Sequence, residues 1–305
     1  MHAFHAYSSK PPQKWFGLQQ PEGRCHFEDF ELLTTCLSAL EWRRHNGSIS
    51  LYTDDPCATY FKERGLDVLW DSIDTTALAE VELDTNYGAF WAFAKTVALT
   101  REQAPCVVLD MDLVVWKDLS GLLDADFKAI HSEPLDFQVY LPREEMRTPP
   151  GYVWDQLDWT VTPCNAALLY FGSDAVRADC ASLGMEFLQN NVAAEDSAMP
   201  TYAVFVEQRL YPMCARRLGA SVGYFLEDHH GVNLANGEPN TLFTHLWLYK
   251  RTLMNDPDAR EALCRKMIAR LTADHAYVAS LLPGVPELAP YFSDAALPGR
   301  DRMTG

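Results

Sequence analysis

The sequence has no apolar run of the roughly 18 to 20 residues that a membrane-crossing helix needs, so no transmembrane segment is expected. Positive charge is also scarce. Against 42 Asp and Glu there are 25 Lys and Arg, a formal net charge of -17. A surface of that sign repels phosphate backbones and anionic lipid, which excludes nucleic acid as an expected partner. A small anionic ligand is not excluded, because a divalent cation or a local basic pair inverts the local field whatever the total charge. The eight cysteines, at 25, 36, 57, 106, 164, 180, 214 and 264, form no CxxC pair and no dense cluster. That argues against a zinc site and a disulfide scaffold, and for reduced cysteines used as small apolar residues. Residues 1–10 lack the basic, apolar and small-residue segments of a secretory signal, so the expectation is a cytoplasmic enzyme of bacterial type. No repeat period is visible.

What is present is core-forming material. At 305 residues with 48% hydrophobic and 12% aromatic content, the chain can bury a large core as one domain or two merged subdomains. Residues 3–8 read as a first strand and residues 27–45 as an amphipathic helix, with Phe30, Leu33, Leu37 and Leu40 on one face. Residues 48–53 read as a second strand. Asp54 and Pro56 then suit the cap and first turn of a helix that Gly65 stops. Residues 66–70 are expected as a third strand, residues 88–103 as a helix and residues 106–109 as a strand. This alternation predicts an α/β fold with a mainly parallel, Rossmann-related sheet flanked by helices. Beyond residue 132 the pattern loosens into a Pro- and aromatic-rich stretch, followed by an apolar run at 166–171 and helices at 174–189 and 257–281. The stretch from Pro283 reads as a surface tail.

The chemistry concentrates where Val107-Val108-Leu109 runs into Asp110-Met111-Asp112, with a second apolar run, Leu113 to Trp116, behind it. Ligands of open α/β sheets sit at the carboxyl ends of strands. Two carboxylates with one residue between them can both reach a single Mg²⁺ or Mn²⁺, ions that usually keep coordination positions for substrate phosphates. A bare Asp-x-Asp is more often a solvated turn. The apolar strands on both sides of this one argue for a site.

The segment from Ala94-Lys95 through Val107-Val108-Leu109-Asp110-Met111-Asp112 to Lys117-Asp118-Leu119 resembles the donor site of GT-A glycosyltransferases, especially the family 8 and family 32 types. Two later segments extend the resemblance in the right order. Pro163-Cys164-Asn165-Ala166-Ala167 is similar to the family's Asn-x-Gly segment beside the donor sugar, with Ala167 in place of glycine. His245-Leu246-Trp247-Leu248-Tyr249-Lys250-Arg251 is similar to its late His-x-x-Gly-x-x-Lys pattern, with Leu248 at the glycine and Arg251 at the lysine. The resemblance implies one GT-A-like domain over 1–285, with a nucleotide-binding half at 1–125, an acceptor and sugar half at 126–285, and a C-terminal tail at 286–305.

It also implies a metal-dependent transferase moving a sugar from a nucleotide-sugar donor, UDP-sugar type, to a glycan, lipid or small-molecule acceptor. Mn²⁺, or Mg²⁺, would be held by Asp110, Asp112 and His245. Asp54, Lys95, Asp110, Asn165, Lys250 and Arg251 would face the nucleotide or donor. Catalytic duty would fall to Asp112 and, in an inverting reaction, to Glu207 as base on the acceptor hydroxyl. On their residue types alone several of these have plainer readings: His245 packed between aromatics, Asn165 a satisfied amide, Asp54 a helix cap, Lys95 and Glu207 solvated on helix faces. Two other function classes compete. Asp110-x-Asp112 also fits the opening motif of haloacid-dehalogenase-type phosphatases, with Asp110 as nucleophile and Glu227-Asp228 as a thin match to the later acidic pair. The glycine replacements at 167 and 248 fit a noncatalytic GT-A-like binding protein.

Overall fold

A computed structural model describes residues 1–11, 23–81, 87–146, 150–190, 201–227 and 242–293. Nine strands are found among these residues: β1 (His2–Ala6), β2 (Ile49–Tyr52), β3 (Ser72–Asp74), β4 (Cys106–Leu109), β5 (Leu113–Val115), β6 (Phe127–Ala129), β7 (Leu168–Phe171), β8 (Val222–Tyr224) and β9 (Phe243–His245). Seven of them make one sheet of order β3-β2-β1-β4-β7-β6-β8, and β5 pairs with β9 in a separate two-stranded sheet. β3, β2, β1 and β4 are parallel, β7 runs antiparallel to both β4 and β6, and β8 is parallel to β6. The fold is therefore α/β with a mainly parallel sheet flanked by helices, as the alternation of elements predicts.

Ten α-helical segments accompany the strands among the described residues. On one face of the sheet α4 (Phe93–Leu99), α5 (Asp174–Asn190) and α7 (Tyr211–Arg217) bury Phe4, Val108, Phe127 and Phe171; on the other, α1 (Asp29–His45) and α9 (Pro257–Asp274) cover Ala3, Leu51, Val107 and Leu109. Successive residues of a strand point to opposite faces, and with both faces covered Cys106–Leu109 can be apolar throughout. The strand order turns back between β1 and β4. That is the switch point beside which open α/β sheets hold ligands, outside the carboxyl ends of the strands.

Several elements depart from the sequence expectations. The third strand is not at residues 66–70, where a 3-10 turn covers Asp67–Leu69, but at Ser72–Asp74. Leu66, Leu69 and Trp70 are all buried, and a tight turn puts residues three apart on one side, so the apolar cluster reflects the turn's inner face. The expected helix at 88–103 is shorter, Phe93–Leu99, after turns at residues 87–89. The closing helix at 257–281 is two helices, α9 and α10 (Ala276–Leu281), broken at His275, whose Nε2 lies 2.9 Å from a carboxylate oxygen of fully buried Glu41. The short strands β6, β8 and β9 carry too few residues to show a period. No helix among the described residues is long and apolar enough to cross a membrane.

Residues 282–291 are fastened to the body by Leu282, Val285 and Leu288, all buried, and by Glu287, whose carboxylate takes a two-pronged contact from Arg64 (2.5 and 3.0 Å) and the Tyr60 hydroxyl at 2.9 Å. Burial opposes ionisation of Glu287, but these donors hold its pKa below the ordinary 4.5. A carboxyl depressed in the folded state stabilises above its ordinary pKa and loses that contribution as pH falls through the folded value. Glu287→Gln should therefore lower stability near pH 7 by about 1 kcal/mol, the upper end for a partly exposed pair. In urea titrations the gap from the native protein should close as pH falls from the ordinary 4.5 through the depressed value of the folded protein. A gap that persists in acid strong enough to neutralise the carboxyl would assign the loss to packing. Gly184 marks a close approach of α5 to α4: a methyl there would sit 2.7 Å from Thr96 Cγ2, on a side chain stiff at χ1. Gly184→Ala is expected to cost about 1 to 3 kcal/mol, measured by chemical denaturation, although alanine is the better helix former.

Candidate active site

β4 delivers Asp110 to the carboxyl end of the sheet. The ladder with β7 continues one step past the strand, from the Asp110 amide to the Ala167 carbonyl at 2.8 Å, and a tight turn follows in which the Leu113 amide donates to the Asp110 carbonyl at 3.1 Å. β5 then leaves the turn and pairs with β9 in the register Leu113↔His245, while the Leu246 amide donates to the Asp112 carbonyl at 3.1 Å. A slip of one residue would turn His245 to the other face of the strand. In the observed register one donor atom from each of Asp110, Asp112 and His245 lies within 4.8 Å of the others. The three residues assigned to a metal from the sequence thus converge, with His245 buried and the two aspartates partly so.

Two lysines complete the cluster. Lys95, buried on α4, places Nζ 2.5 Å from Asp110 Oδ1 and 2.7 Å from Glu207 Oε2. Lys250, on α8 (Tyr249–Asn255), places Nζ 3.0 Å from Asp112 Oδ2 and 3.4 Å from Glu31 Oε1. Asp112 is shared: its Oδ1 faces His245 Nε2 at 3.5 Å while Oδ2 faces Lys250. Burial works against the charge of Lys95, Lys250, Asp110, Asp112 and Glu207, and the balance with their partners differs from group to group. Asp112 is held well below the usual carboxylate range by Lys250 and His245 in spite of burial. Burial wins at Asp110 and Glu207 and pushes both upward against the pull of Lys95. Both ammonium groups are pushed up by the carboxylates they face, against the effect of burial, so they stay charged.

Glu207 reaches this cluster through a π-helical turn, Phe205–Leu210, between α6 (Thr201–Val204) and α7. Such turns recur at functional sites because the extra residue redirects a side chain. The Gln208 carbonyl in the same turn accepts from the Cys164 amide at 2.8 Å, tying it to the segment that carries Asn165. Asn165 is buried, with Oδ1 accepting from the Ala167 amide (3.1 Å) and Nδ2 donating to Glu133 (3.2 Å). The glycine absent at 167 is not required by the backbone, since among the described residues Trp247 is the non-glycine residue with positive φ, at 27°. That left-handed residue falls one position before Leu248, where the resemblance places glycine, and the lysine that meets Asp112 is 250, not the exposed Arg251. The stretch from histidine to base is one residue shorter than the pattern, and the turn is shifted by one with it. Trp247 is half-exposed, its ring nearly parallel to that of His245 at 13°.

The structure keeps Asp54 outside these contacts. It caps α2 (Asp55–Glu63), accepting from the Cys57 amide at 3.3 Å, while its other oxygen takes the Ser8 hydroxyl and the Ser9 amide, each at 2.7 Å. Glu227 is exposed, and Asp228 lies outside the described residues. Sequence reasoning missed Glu31, which serves both the capping box of α1 and Lys250. Its signal was available, as an acidic residue three positions after Glu28 at a helix start. Ser38 and His5 were also missed; their contacts, to backbone carbonyls, to each other and to an indole, carry no motif.

Because Lys95 bridges two carboxylates that are out of water, removing its charge leaves both unpaired. Lys95→Met is expected to destabilise the fold by about 3 to 5 kcal/mol in urea unfolding, and adding Glu207→Leu should return part of that loss. An effect under about 1 kcal/mol, the size of an exposed pair, would contradict the bridge.

Among solved structures the chain is similar to the galactosyltransferase LgtC in complex with donor and acceptor sugar analogues, at 12% identity over 80% of this chain and 86% of that one, with a TM-score of 0.37. It is also similar to the apo form of mouse xyloside xylosyltransferase 1, at 11% identity over 80% of this chain and 96% of that one, with a TM-score of 0.41. No curated protein matches it. One family model does, across residues 17–277, most of the chain and nearly all of the site described above: the chain belongs to the family of unknown function DUF6734.

Proposed function

We propose that the protein is a glycosyltransferase of GT-A type that uses a divalent cation, Mn²⁺ or Mg²⁺, to hold a nucleotide-sugar donor, UDP-sugar type, at the carboxyl end of β4. The observation that carries this reading is the convergence of Asp110, Asp112 and His245 beside the switch point of the sheet, with Lys250 alongside. The charge of the cluster fits such an ion. Lys95 and Lys250 face Asp110, Asp112, Glu207 and Glu31, so with His245 neutral and the carboxylates ionised the group lacks two positive charges. Two carboxylates and an imidazole are competent donors for Mn²⁺.

The competing place for a diphosphate in this kind of sheet is the N-terminus of the helix after β1. In α1 that end is filled by protein carboxylates: Glu28 and Glu31 close a capping box, and Asp29 accepts from the Phe30 amide while Arg260 braces Glu28 and Asp29. The Asp110–His245 cluster supplies the charge instead.

The bound cation would supply electrostatic stabilisation for the charge that builds on a departing diphosphate. The chain's own residues do the rest. Lys250 adds a second positive charge at the same spot, and Glu31 keeps its ammonium pointed there. Lys95 fixes the rotamer of Asp110, and Glu207 fixes Lys95. Service by Glu207 as base toward an acceptor hydroxyl, as an inverting transfer to a glycan, lipid or small-molecule acceptor would need, competes with its 2.7 Å contact to Lys95. The half-exposed Trp247 stands beside His245 at the edge of the cluster, and Asn165 keeps the donor-sugar role that the resemblance implies.

Calorimetric titration of UDP with and without Mn²⁺ tests the reading. Binding should require the metal, Asp112→Asn should abolish the metal dependence, and His245→Ala should weaken Mn²⁺ by about tenfold to a hundredfold or more while the protein stays folded. UDP binding that ignores Mn²⁺ up to millimolar concentration would refute the donor site. Release of phosphate from a sugar phosphate without any nucleotide, lost in Asp110→Asn, would favour a phosphatase.

A further inference from the structure

Ser38 lies in the middle of α1, fully buried, and its hydroxyl is not spent on its own helix. Its Oγ reaches across to the turn that carries the two aspartates, 2.6 Å from the Leu113 carbonyl and 3.3 Å from the Asp110 carbonyl. On its other side the same oxygen lies 3.0 Å from Nε2 of His5, on β1. His5 is fully buried too, and its Nδ1 lies 3.1 Å from Nε1 of Trp70.

The proton positions in this chain are forced. An indole N–H can only donate, so His5 Nδ1 must accept, and the single ring proton of a neutral imidazole is left on Nε2. Burial keeps the ring neutral, with its pKa pushed down to about 3 although the charge of Asp112 pulls the other way. His5 therefore donates to Ser38, and Ser38 donates onward to the turn. Direction runs one way, from Trp70 through His5 and Ser38 to the backbone between Asp110 and Leu113.

We infer that Ser38, oriented by His5 and Trp70, is a positioning residue for the aspartate pair: it pins the backbone of the Asp110–Leu113 turn so that both carboxylates face the ion. The inference rests on the metal-site reading above. Asp110 is anchored through its amide by Ala167 and through its side chain by Lys95, and Asp112 through its carbonyl by Leu246. The turn's own carbonyls have no other side-chain donor among the described contacts, and an ion that needs donors placed to within a fraction of an ångström is sensitive to how the turn sits.

The test compares Ser38→Ala with Ser50→Ala. Ser50 is a matched control, since it is also buried and hydrogen-bonded, to Ser72 at 2.8 Å between β2 and β3, but does not touch the turn. Mn²⁺ affinity by calorimetry and melting temperature are measured on each, and amide exchange at Leu113 is followed in the metal-free proteins. The expected result for Ser38→Ala is a loss of Mn²⁺ affinity of about tenfold, the low end for residues that orient metal ligands, with faster exchange at Leu113. Ser50→Ala should leave Mn²⁺ affinity and exchange at Leu113 unaltered. Unchanged Mn²⁺ affinity in Ser38→Ala would overturn the positioning role and leave the site standing. Failure of the unmodified protein to bind Mn²⁺ would overturn the site and the positioning role together.

Discussion

Four carboxylates are drawn out of bulk water at one end of the sheet, and the rest of the site follows from what that costs. Asp110, Asp112, Glu207 and Glu31 come from three separate regions of the chain, and two lysines are set among them. A buried charge without a partner costs a large share of the stability of an ordinary domain. The ammonium groups therefore cannot be ornamental: each bridges a pair of carboxylates carried by different elements. Lys95 links α4, the end of β4 and the π-helical turn; Lys250 links α8, the aspartate turn and the start of α1. The shortfall of positive charge among these groups is what the proposed divalent ion would make up.

Backbone pairing supplies the precision that charge alone lacks. Coulomb attraction falls off slowly with distance and does not select one rotamer or register. The pairing of β5 with β9 does, because a step of one residue would carry His245 away from Asp112 altogether. The chain from Trp70 through His5 to Ser38 acts on the same few residues from beneath. It is built only from neutral groups, so it adds no charge to a region that already has too many of one sign. The left-handed backbone at Trp247 belongs to this layer of constraint. A non-glycine residue in that region carries a cost of about 1 to 3 kcal/mol and persists where its surroundings impose it. Here the turn brings Lys250 round to Asp112 one residue sooner than the sequence pattern would have it.

The sequence by itself determined the class of fold and pointed to the aspartate pair as the candidate site. Cys106–Leu109, apolar at every position, could only be a strand covered on both faces, and the aspartates that follow it had to emerge at the carboxyl end of a sheet. His245 came only from the resemblance to GT-A glycosyltransferases, but Asp54 with Pro56 announced a helix start. These features are local, or repeat at short range, and local physics is what a sequence displays directly. Tertiary structure alone decided which base meets Asp112, since Lys250 and Arg251 are neighbours of the same charge and differ by about 100° of rotation on α8. It also decided that Glu207 faces inward, through a π-turn that residue types do not signal, and that the apolar residues near 66–70 line a turn. Ser38 and His5 were invisible for a related reason: their partners are backbone carbonyls and an indole more than 30 residues away, and a hydrogen bond to a carbonyl leaves no mark on the identity of the residue that offers it.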